Sequence, residues 1–148
     1  MTLLRAVWIS LGCLTAGAAQ ALTYPLPPPG SDVVGAVQQI EARESDTLLA
    51  LGREYGIGYE EMRRANPGVD VWLPGEGTSI TIPSRFVLPN APREGVVINI
   101  PEMRLYHYPE PKKNQRSVVE TYPISVGRMD WSTPLGVSRI TEKTRNPY

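Results

Sequence analysis

The chain has 148 residues, 41% hydrophobic and 20% charged, with 15 basic and 15 acidic side chains. This balance gives no electrostatic basis for binding nucleic acid, which needs a basic surface. One cysteine and one histidine are too few ligands for a zinc site, and no phosphate-binding glycine pattern is present, so neither a metal nor another cofactor is expected.

Residues 1–21 predict a secretory signal peptide. Arg5 supplies the positive end, a short apolar run follows, and Ala19-Gln20-Ala21 forms the cleavage site. The run is shorter than the roughly 20 residues that span a bilayer. A lipoprotein acylated at Cys13 is the weaker alternative, because Ser10 stands where an aliphatic residue is expected. We therefore expect export, periplasmic localisation and no membrane span after cleavage.

Two proline-containing stretches divide the remaining chain. Residues 22–34 predict a stiff, extended leader, because proline fixes φ and cannot donate to a strand ladder. A second break at 85–95 predicts a linker. These breaks separate a unit at 35–84 from a C-terminal block at 96–148.

The pattern of residues 35–84 predicts an α+β unit in the order strand, helix, helix, strand. The elements are a strand at Val37–Ala42, a helix capped by Ser45 or Asp46, a helix at Tyr59–Ala65 and a strand at Ser79–Ile82. Gly56 is expected in the left-handed conformation after the first helix. The second helix has acidic residues in its first turn and basic residues near its end, which complements the helix dipole.

The C-terminal block predicts a mostly-β structure. Val96–Ile100 and Met103–Tyr108 flank a tight Pro101-Glu102 turn, as in a hairpin. Further strands are predicted at Ser117–Val126, where Pro123 indicates an edge or a bulge, and at Val137–Glu142 beyond a loop. The result is an incomplete sheet with open edges, and the tyrosines at 106, 108 and 122 and the three tryptophans are interpreted as core or edge aromatics.

Four motifs of the 35–84 unit resemble a LysM domain. They are Glu44-Ser45-Asp46-Thr47-Leu48, Ala65-Asn66-Pro67-Gly68, Leu73-Pro74-Gly75 and Ile80-Thr81-Ile82-Pro83, with serine at 45 where the family usually has glycine. The resemblance implies a βααβ fold that binds N-acetylglucosamine-containing glycans such as peptidoglycan. Its glycan groove maps onto Ser45, Asp46, Thr47, Asn66, Pro67 and Gly68. A purely structural role as helix start and helix stop remains an alternative for each of these residues.

The C-terminal block resembles the opening of an L,D-transpeptidase of the ErfK/YkuD type. The matching stretches are Leu88-Pro89, Arg93–Asn99, Glu102–Tyr106, Thr121–Gly127, Trp131–Gly136, Lys143 and Asn146-Pro147. The family uses a cysteine thiolate to cut peptidoglycan stem peptides after meso-diaminopimelate, and it passes the acyl group to another stem or to a lipoprotein. The loop with Thr133, Pro134 and Gly136 would either frame the substrate cleft or serve only as a proline-stiffened turn.

The nucleophile of that family is missing from the predicted mature chain. Its Ser-His-Gly-Cys motif does not occur, Cys13 lies in the predicted signal peptide, and His107 is interpreted as a hydrogen-bonded strand residue. We therefore expect no catalytic residue here and an inactive N-terminal fragment of an L,D-transpeptidase. Its expected partners are peptidoglycan glycan strands and stem peptides, with an outer-membrane lipoprotein as an acceptor of the full-length enzyme. The alternative is a short, non-catalytic glycan-binding LysM protein.

Overall fold

The structure is a computed structural model that describes residues 22–127 and 133–145. Within these ranges the chain is mostly β with two short helices, α1 (Leu48–Glu54) and α2 (Tyr59–Ala65), which agrees with the predicted α+β class. The strands are β1 (Leu22–Pro25), β2 (Val33–Gly35), β3 (Gln38–Glu41), β4 (Ser79–Ile82), β5 (Arg85–Val87), β6 (Gly95–Asn99), β7 (Arg104–Tyr108) and β8 (Val118–Pro123). Neither helix, at seven residues each, could cross a membrane, and the described ranges contain no other.

The predicted order strand, helix, helix, strand is confirmed as β3-α1-α2-β4. The bounds of α2 and β4 are those predicted, and β3 is one residue shorter at each end. β3 and β4 pair antiparallel, with Ile40 opposite Ile80. Leu48, Leu51 and Met62 of the helices are buried in the same hydrophobic cluster as Ile80 and Ile82 of β4.

The start of α1 differs from the prediction, because its N-cap is Thr47. The Thr47 hydroxyl accepts a hydrogen bond from the Ala50 N–H at 2.9 Å. The Asp46 carboxylate is already used one turn earlier, where it accepts the Arg43 N–H at 2.9 Å. The next residue with a side-chain oxygen, Thr47, therefore caps the helix. Gly56, after the helix, has a φ of 58°, as predicted.

The stretches predicted as leader and linker contain strands. β1 pairs with β8, and β2 pairs with β5. The prolines at 27–29 follow β1 and stay outside its ladder, so they do not prevent the pairing. Alternating apolar residues stabilise these segments in the ordered state. Val34 and Phe86 are paired on facing strands, and both are buried. The domain boundaries themselves stay predictions.

The larger sheet has the order β1-β8-β7-β6. The predicted hairpin exists, but its last pair is Asn99 with Arg104, so the turn is four residues long rather than two. Its closing hydrogen bond runs from the Met103 N–H to the Ile100 oxygen at 3.0 Å. Met103 has a φ of 51°, which a longer turn accommodates and a regular strand does not.

Pro123 ends β8 opposite Arg104 and lies beyond the last pair with β1. It therefore lies at an edge on its β1 side, where no ladder hydrogen bond is lost. The strand predicted at Val137–Glu142 is wrong. Residues 133–145 contain no strand, because no strand in the described ranges forms a hydrogen-bonded ladder with them. Val137 is fully exposed.

One hydrophobic core runs through both parts of the chain. It joins residues of the βααβ unit, such as Met62 and Ile80, to Tyr106, Tyr108 and Val119 of the larger sheet. The strands β2 and β5 contribute Val34 and Phe86 to the same cluster. The two parts are therefore packed against each other.

Candidate functional site

The two loops predicted to bind glycan are connected in the structure. The N–H of Leu48, at the start of α1, donates to the carbonyl oxygen of Val71 at 2.9 Å. The loop after α2 thereby lies against the segment that contains Ser45, Asp46 and Thr47. The structure thus brings the start of α1 and the loop that follows the end of α2 to one side of the unit.

The side chains of these loops divide into two groups. Asn66 is 5% exposed, donates to the Met62 and Thr81 oxygens and accepts the Thr81 N–H at 2.7 Å. Its amide, like the side chains of Asp46 and Thr47, is engaged inside the unit, which favours the structural alternative for all three. Ser45, Pro67 and Gly68 are exposed and are available to a ligand.

An exposed apolar pair beside these loops was not predicted. Trp72 is 64% and Leu73 77% exposed, so Trp72 is neither a core nor an edge aromatic. The Asp70 carboxylate holds their backbone by accepting both N–H groups, at 2.8 Å and 2.9 Å. The bond from Leu73, followed by that from Trp72, lowers the pKa of Asp70. An aspartate can accept the backbone N–H two residues on, so Asp70 could have indicated the turn at Trp72, although not the exposure of its side chain.

Thr133, Pro134 and Gly136, predicted to frame a substrate cleft, are exposed. They do not line the groove described below. Ser132 and Trp131, which belong to the same predicted loop, lie outside the described residues, as do Cys13 and the predicted signal peptide.

Arg104 is the central polar residue between the βααβ unit and the larger sheet. Its side chain is fully buried, and it donates to the Glu61 carboxylate at 2.7 Å and to the Thr121 hydroxyl at 3.1 Å. Both terminal nitrogens also reach the Gly56 carbonyl oxygen, at 3.3 Å and 3.4 Å. The guanidinium carbon lies 4.0 Å from the centre of the Phe86 ring. Alternation along β7 could have indicated this burial, because Arg104 shares a face with Tyr106.

A groove separates α2 from the β6–β7 turn, and we call it the α2–hairpin groove. Tyr59, Glu60 and Glu61 line one side, Glu102 and Met103 the other, and residues 123–126 its floor. Its volume is about 310 Å³. Sequence reasoning missed this groove, because it forms only when distant segments pack together.

Two of the groove carboxylates are held in place. Glu61 accepts the Gly58 N–H at 2.8 Å as well as the bond from Arg104. Glu102 accepts the Tyr106 hydroxyl at 2.8 Å and the Asn99 amide at 2.9 Å. Burial, followed by the hydrogen bond to Glu102, raises the pKa of Tyr106, so its hydroxyl remains a donor.

His107, Glu120 and Tyr122 form a surface cluster on β7 and β8. His107 Nδ1 lies 3.0 Å from Glu120 Oε2, and the Tyr122 hydroxyl donates to the same oxygen at 3.1 Å. The predicted role of His107 as a hydrogen-bonded strand residue is confirmed. The bond with His107 is the main cause that holds the pKa of Glu120 below its ordinary value.

Replacing Glu120 with glutamine should flatten the acid limb of the stability curve. A carboxylate whose folded pKa is lowered stabilises the fold above its ordinary pKa of about 4.3, and that contribution is lost as the pH falls through the folded pKa. Urea unfolding between about pH 5 and about pH 3 measures it. Glu110→Gln, in the exposed loop after β7, is the control and should keep the original slope. Equal slopes for Glu120→Gln and the unmodified chain would contradict the assignment.

No group of three or more histidine, cysteine, aspartate or glutamate side chains in residues 22–127 and 133–145 is placed to hold a metal ion.

Comparison with known proteins finds a family match for the C-terminal block. Residues 93–148 match the YkuD family, the L,D-transpeptidase catalytic domain. Three curated relatives are proteins of Escherichia coli strain K12, each described as a "Probable L,D-transpeptidase". YcfS is 41% identical over 95% of this chain and 45% of its own length. ErfK/SrfK is 42% identical over 86% of this chain and 41% of its own, and YbiS 41% identical over 99% and 47%.

The chain spans less than half the length of each of these three relatives. The YkuD-matching segment contains β6, β7 and β8. Arg104 belongs to it, whereas Glu61 and Gly56 precede it. The α2–hairpin groove is likewise lined from both sides of that boundary.

Proposed function

We propose that this chain is the N-terminal part of an exported L,D-transpeptidase, held on peptidoglycan in the periplasm by its LysM-like unit. The full-length enzyme would cross-link stem peptides or attach a lipoprotein to the cell wall. The match of residues 93–148 to the YkuD catalytic domain is the observation that carries the proposal. The similarity to three probable L,D-transpeptidases over most of this chain supports it.

The acyl-transfer chemistry requires a cysteine that the predicted mature part of this chain does not supply. Acyl transfer by this family needs a cysteine thiolate and a base that generates it. The 148 residues contain one cysteine, Cys13, within the predicted signal peptide. We therefore assign the nucleophile to a part of the enzyme outside these residues. The role assigned to this chain is to bind peptidoglycan.

The glycan-binding surface is assigned to the exposed parts of two loops, the one before α1 and the one after α2, which we call the helix-end loops. Ser45, Pro67 and Gly68 offer small groups and free backbone, which suit a neutral amino sugar. Trp72 adds an aromatic face on which a sugar ring can pack, and the Asp70 turn fixes its backbone beforehand. A fixed backbone lowers the entropy lost on binding.

Sedimentation with purified peptidoglycan sacculi tests this assignment. The 148-residue chain should pellet with sacculi, and Trp72→Ala should weaken retention by about tenfold, because truncating an aromatic anchor costs at least about 1.4 kcal/mol. Ser45→Arg should weaken retention by blocking the same surface. The fold should persist in both variants, since both side chains are exposed.

Ser117→Arg is the matched control for Ser45→Arg, because it adds the same charge at an exposed position before β8. It should leave retention unchanged. Equal retention of the Ser45 and Ser117 variants, together with full retention of the Trp72 variant, would rule out this surface.

A non-catalytic glycan-binding protein is the second candidate. The observation in its favour is the βααβ unit, whose two strands and two helices are all present in this chain. Both candidates predict binding to sacculi, so chemistry must separate them. The chain extended by its natural downstream coding sequence should form diaminopimelate exchange products if it is a transpeptidase, whereas the 148-residue chain should form none. A natural stop codon after Tyr148 would favour the glycan-binding protein.

A further inference from the structure

The shape of the α2–hairpin groove is fixed by a contact across it. Glu61 on the α2 side is joined to the fully buried Arg104 beneath the hairpin side at 2.7 Å. Because Arg104 also binds Thr121 and Gly56, it holds α2, β7 and β8 at set distances. The groove is therefore present before any ligand arrives, and binding does not have to form it.

The floor of the groove is apolar and offers free backbone. Pro123, Ile124 and Val126 line it, and Met103 closes one side. The Ile124 N–H is used, since it donates to the Met103 oxygen at 2.8 Å. Residues 125–127 follow β8 and take no part in the described ladders, so an extended ligand can pair with their main chain.

The charge of the groove is negative and can be assigned to one residue. Arg104 neutralises Glu61, and the exposed Arg63 neutralises Glu60 at 3.0 Å. Glu102 receives only the neutral donors Tyr106 and Asn99, and it forms no ion pair within the described ranges. A ligand that fits should combine an apolar, extended stretch with one positive group near Glu102.

The groove and the proposed glycan surface lie at opposite ends of α2. Tyr59 at the helix start lines the groove, and the helix end leads into Asn66-Pro67-Gly68. Seven helical residues span about 10 Å, so one molecule can reach both sites. A glycan strand that carries amine-bearing peptides has the two required parts.

We propose that the α2–hairpin groove binds a peptide that carries an ammonium group, with that group beside Glu102. This inference rests on the proposed function, under which the peptide is a peptidoglycan stem peptide attached to the glycan strand held by the LysM-like unit. The site is distinct from the helix-end loops, and both the βααβ unit and the YkuD-matching segment are needed to form it.

Calorimetric titration of the 148-residue chain tests the groove. The probes are a synthetic tetrapeptide that contains meso-diaminopimelate, the same peptide with its side-chain amine acetylated, and an N-acetylglucosamine oligomer. The free-amine peptide should bind, and acetylation should weaken it by roughly fivefold, because a partly exposed charge pair is lost. The sugar oligomer should bind independently at the loops.

Two variants locate the peptide site. Glu102→Gln should raise the dissociation constant of the free-amine peptide by roughly fivefold and leave that of the sugar oligomer unchanged. Its matched control, Glu110→Gln, should change neither. Ser125→Trp adds a large side chain to the groove from an exposed position and leaves the Glu102 carboxylate in the chain, and it should abolish peptide binding. Thermal unfolding of each variant verifies the fold.

The outcomes separate this inference from the proposed function. Equal binding of the free and acetylated peptides, equal effects of the two glutamate variants, or no peptide binding at all would overturn the groove assignment. Peptide binding without sugar binding would leave the groove standing and contradict the glycan-binding role of the LysM-like unit.

Discussion

Replacing Arg104 with methionine should lower the free energy of unfolding by about 3 kcal/mol, since breaking a buried ion pair by removing one partner costs about 3–5 kcal/mol. The value lies at the lower end because the Glu61 side chain is 31% exposed and water can solvate part of its charge. The methionine also leaves the Gly56 oxygen and the Thr121 hydroxyl without their donor. Urea-induced unfolding at neutral pH measures the loss.

Arg63→Met provides the matched control for Arg104→Met. Arg63 also pairs with a glutamate of α2, at 3.0 Å, but its side chain is 57% exposed. Exposed pairs contribute about 0–1 kcal/mol, so this variant should be nearly as stable as the unmodified chain. If both variants lost the same amount, the buried position of Arg104 would not be the reason for its effect.

Replacing Gly35 with alanine should lower the free energy of unfolding by about 3 kcal/mol, since overpacking costs about 1–3 kcal/mol and left-handed backbone adds strain. Gly35 has a φ of 72° at the end of β2. A Cβ there would overlap the Ser84 carbonyl oxygen and lie 3.0 Å from the Tyr24 ring. Thermal and urea unfolding should both report the change.

Gly30→Ala separates the overlap from the backbone strain. Gly30 has a similar φ of 89°, but a Cβ at this position would meet no atom within 4 Å. The alanine should cost about 1 kcal/mol from the left-handed backbone alone. A Gly35 variant no less stable than the Gly30 variant would show that β2 can shift away from Ser84.

Local signals allowed the βααβ unit to be predicted almost residue by residue. The start of α2 has acidic residues, its end has Asn66-Pro67-Gly68, and the apolar side chains between them follow helical spacing, so neighbours in sequence determine both ends. Thr47 shows the limit of this reasoning. Three consecutive residues could cap α1, and the turn that engages Asp46 decides among them.

Pairing between distant segments could not be predicted. β1 and β5 are short, lie beside prolines and resemble connectors until β8 and β2 are placed next to them. The opposite error occurs at 137–142, where a strand-like pattern has no described partner. In both cases the deciding hydrogen bonds come from residues far along the chain, which local composition does not report.

The candidate site shows the same division. The helix-end loops could be located from motifs, whereas Trp72 was misjudged because large aromatics are usually buried. Arg104 and the α2–hairpin groove depend on the contact between the two parts of the chain, and a single motif gives no sign of that contact.

The pairing of β1 with β8 has a consequence for the order of folding. Leu22 lies opposite Thr121, so the first described strand finds its partner only near the end of the described sheet. Such a contact has a high sequence separation and closes one of the largest loops in the chain, which slows its formation. The βααβ unit, whose contacts are mostly closer in sequence, can form first. β1 is the first described strand in the chain, yet it must wait for β8 before it can join the sheet.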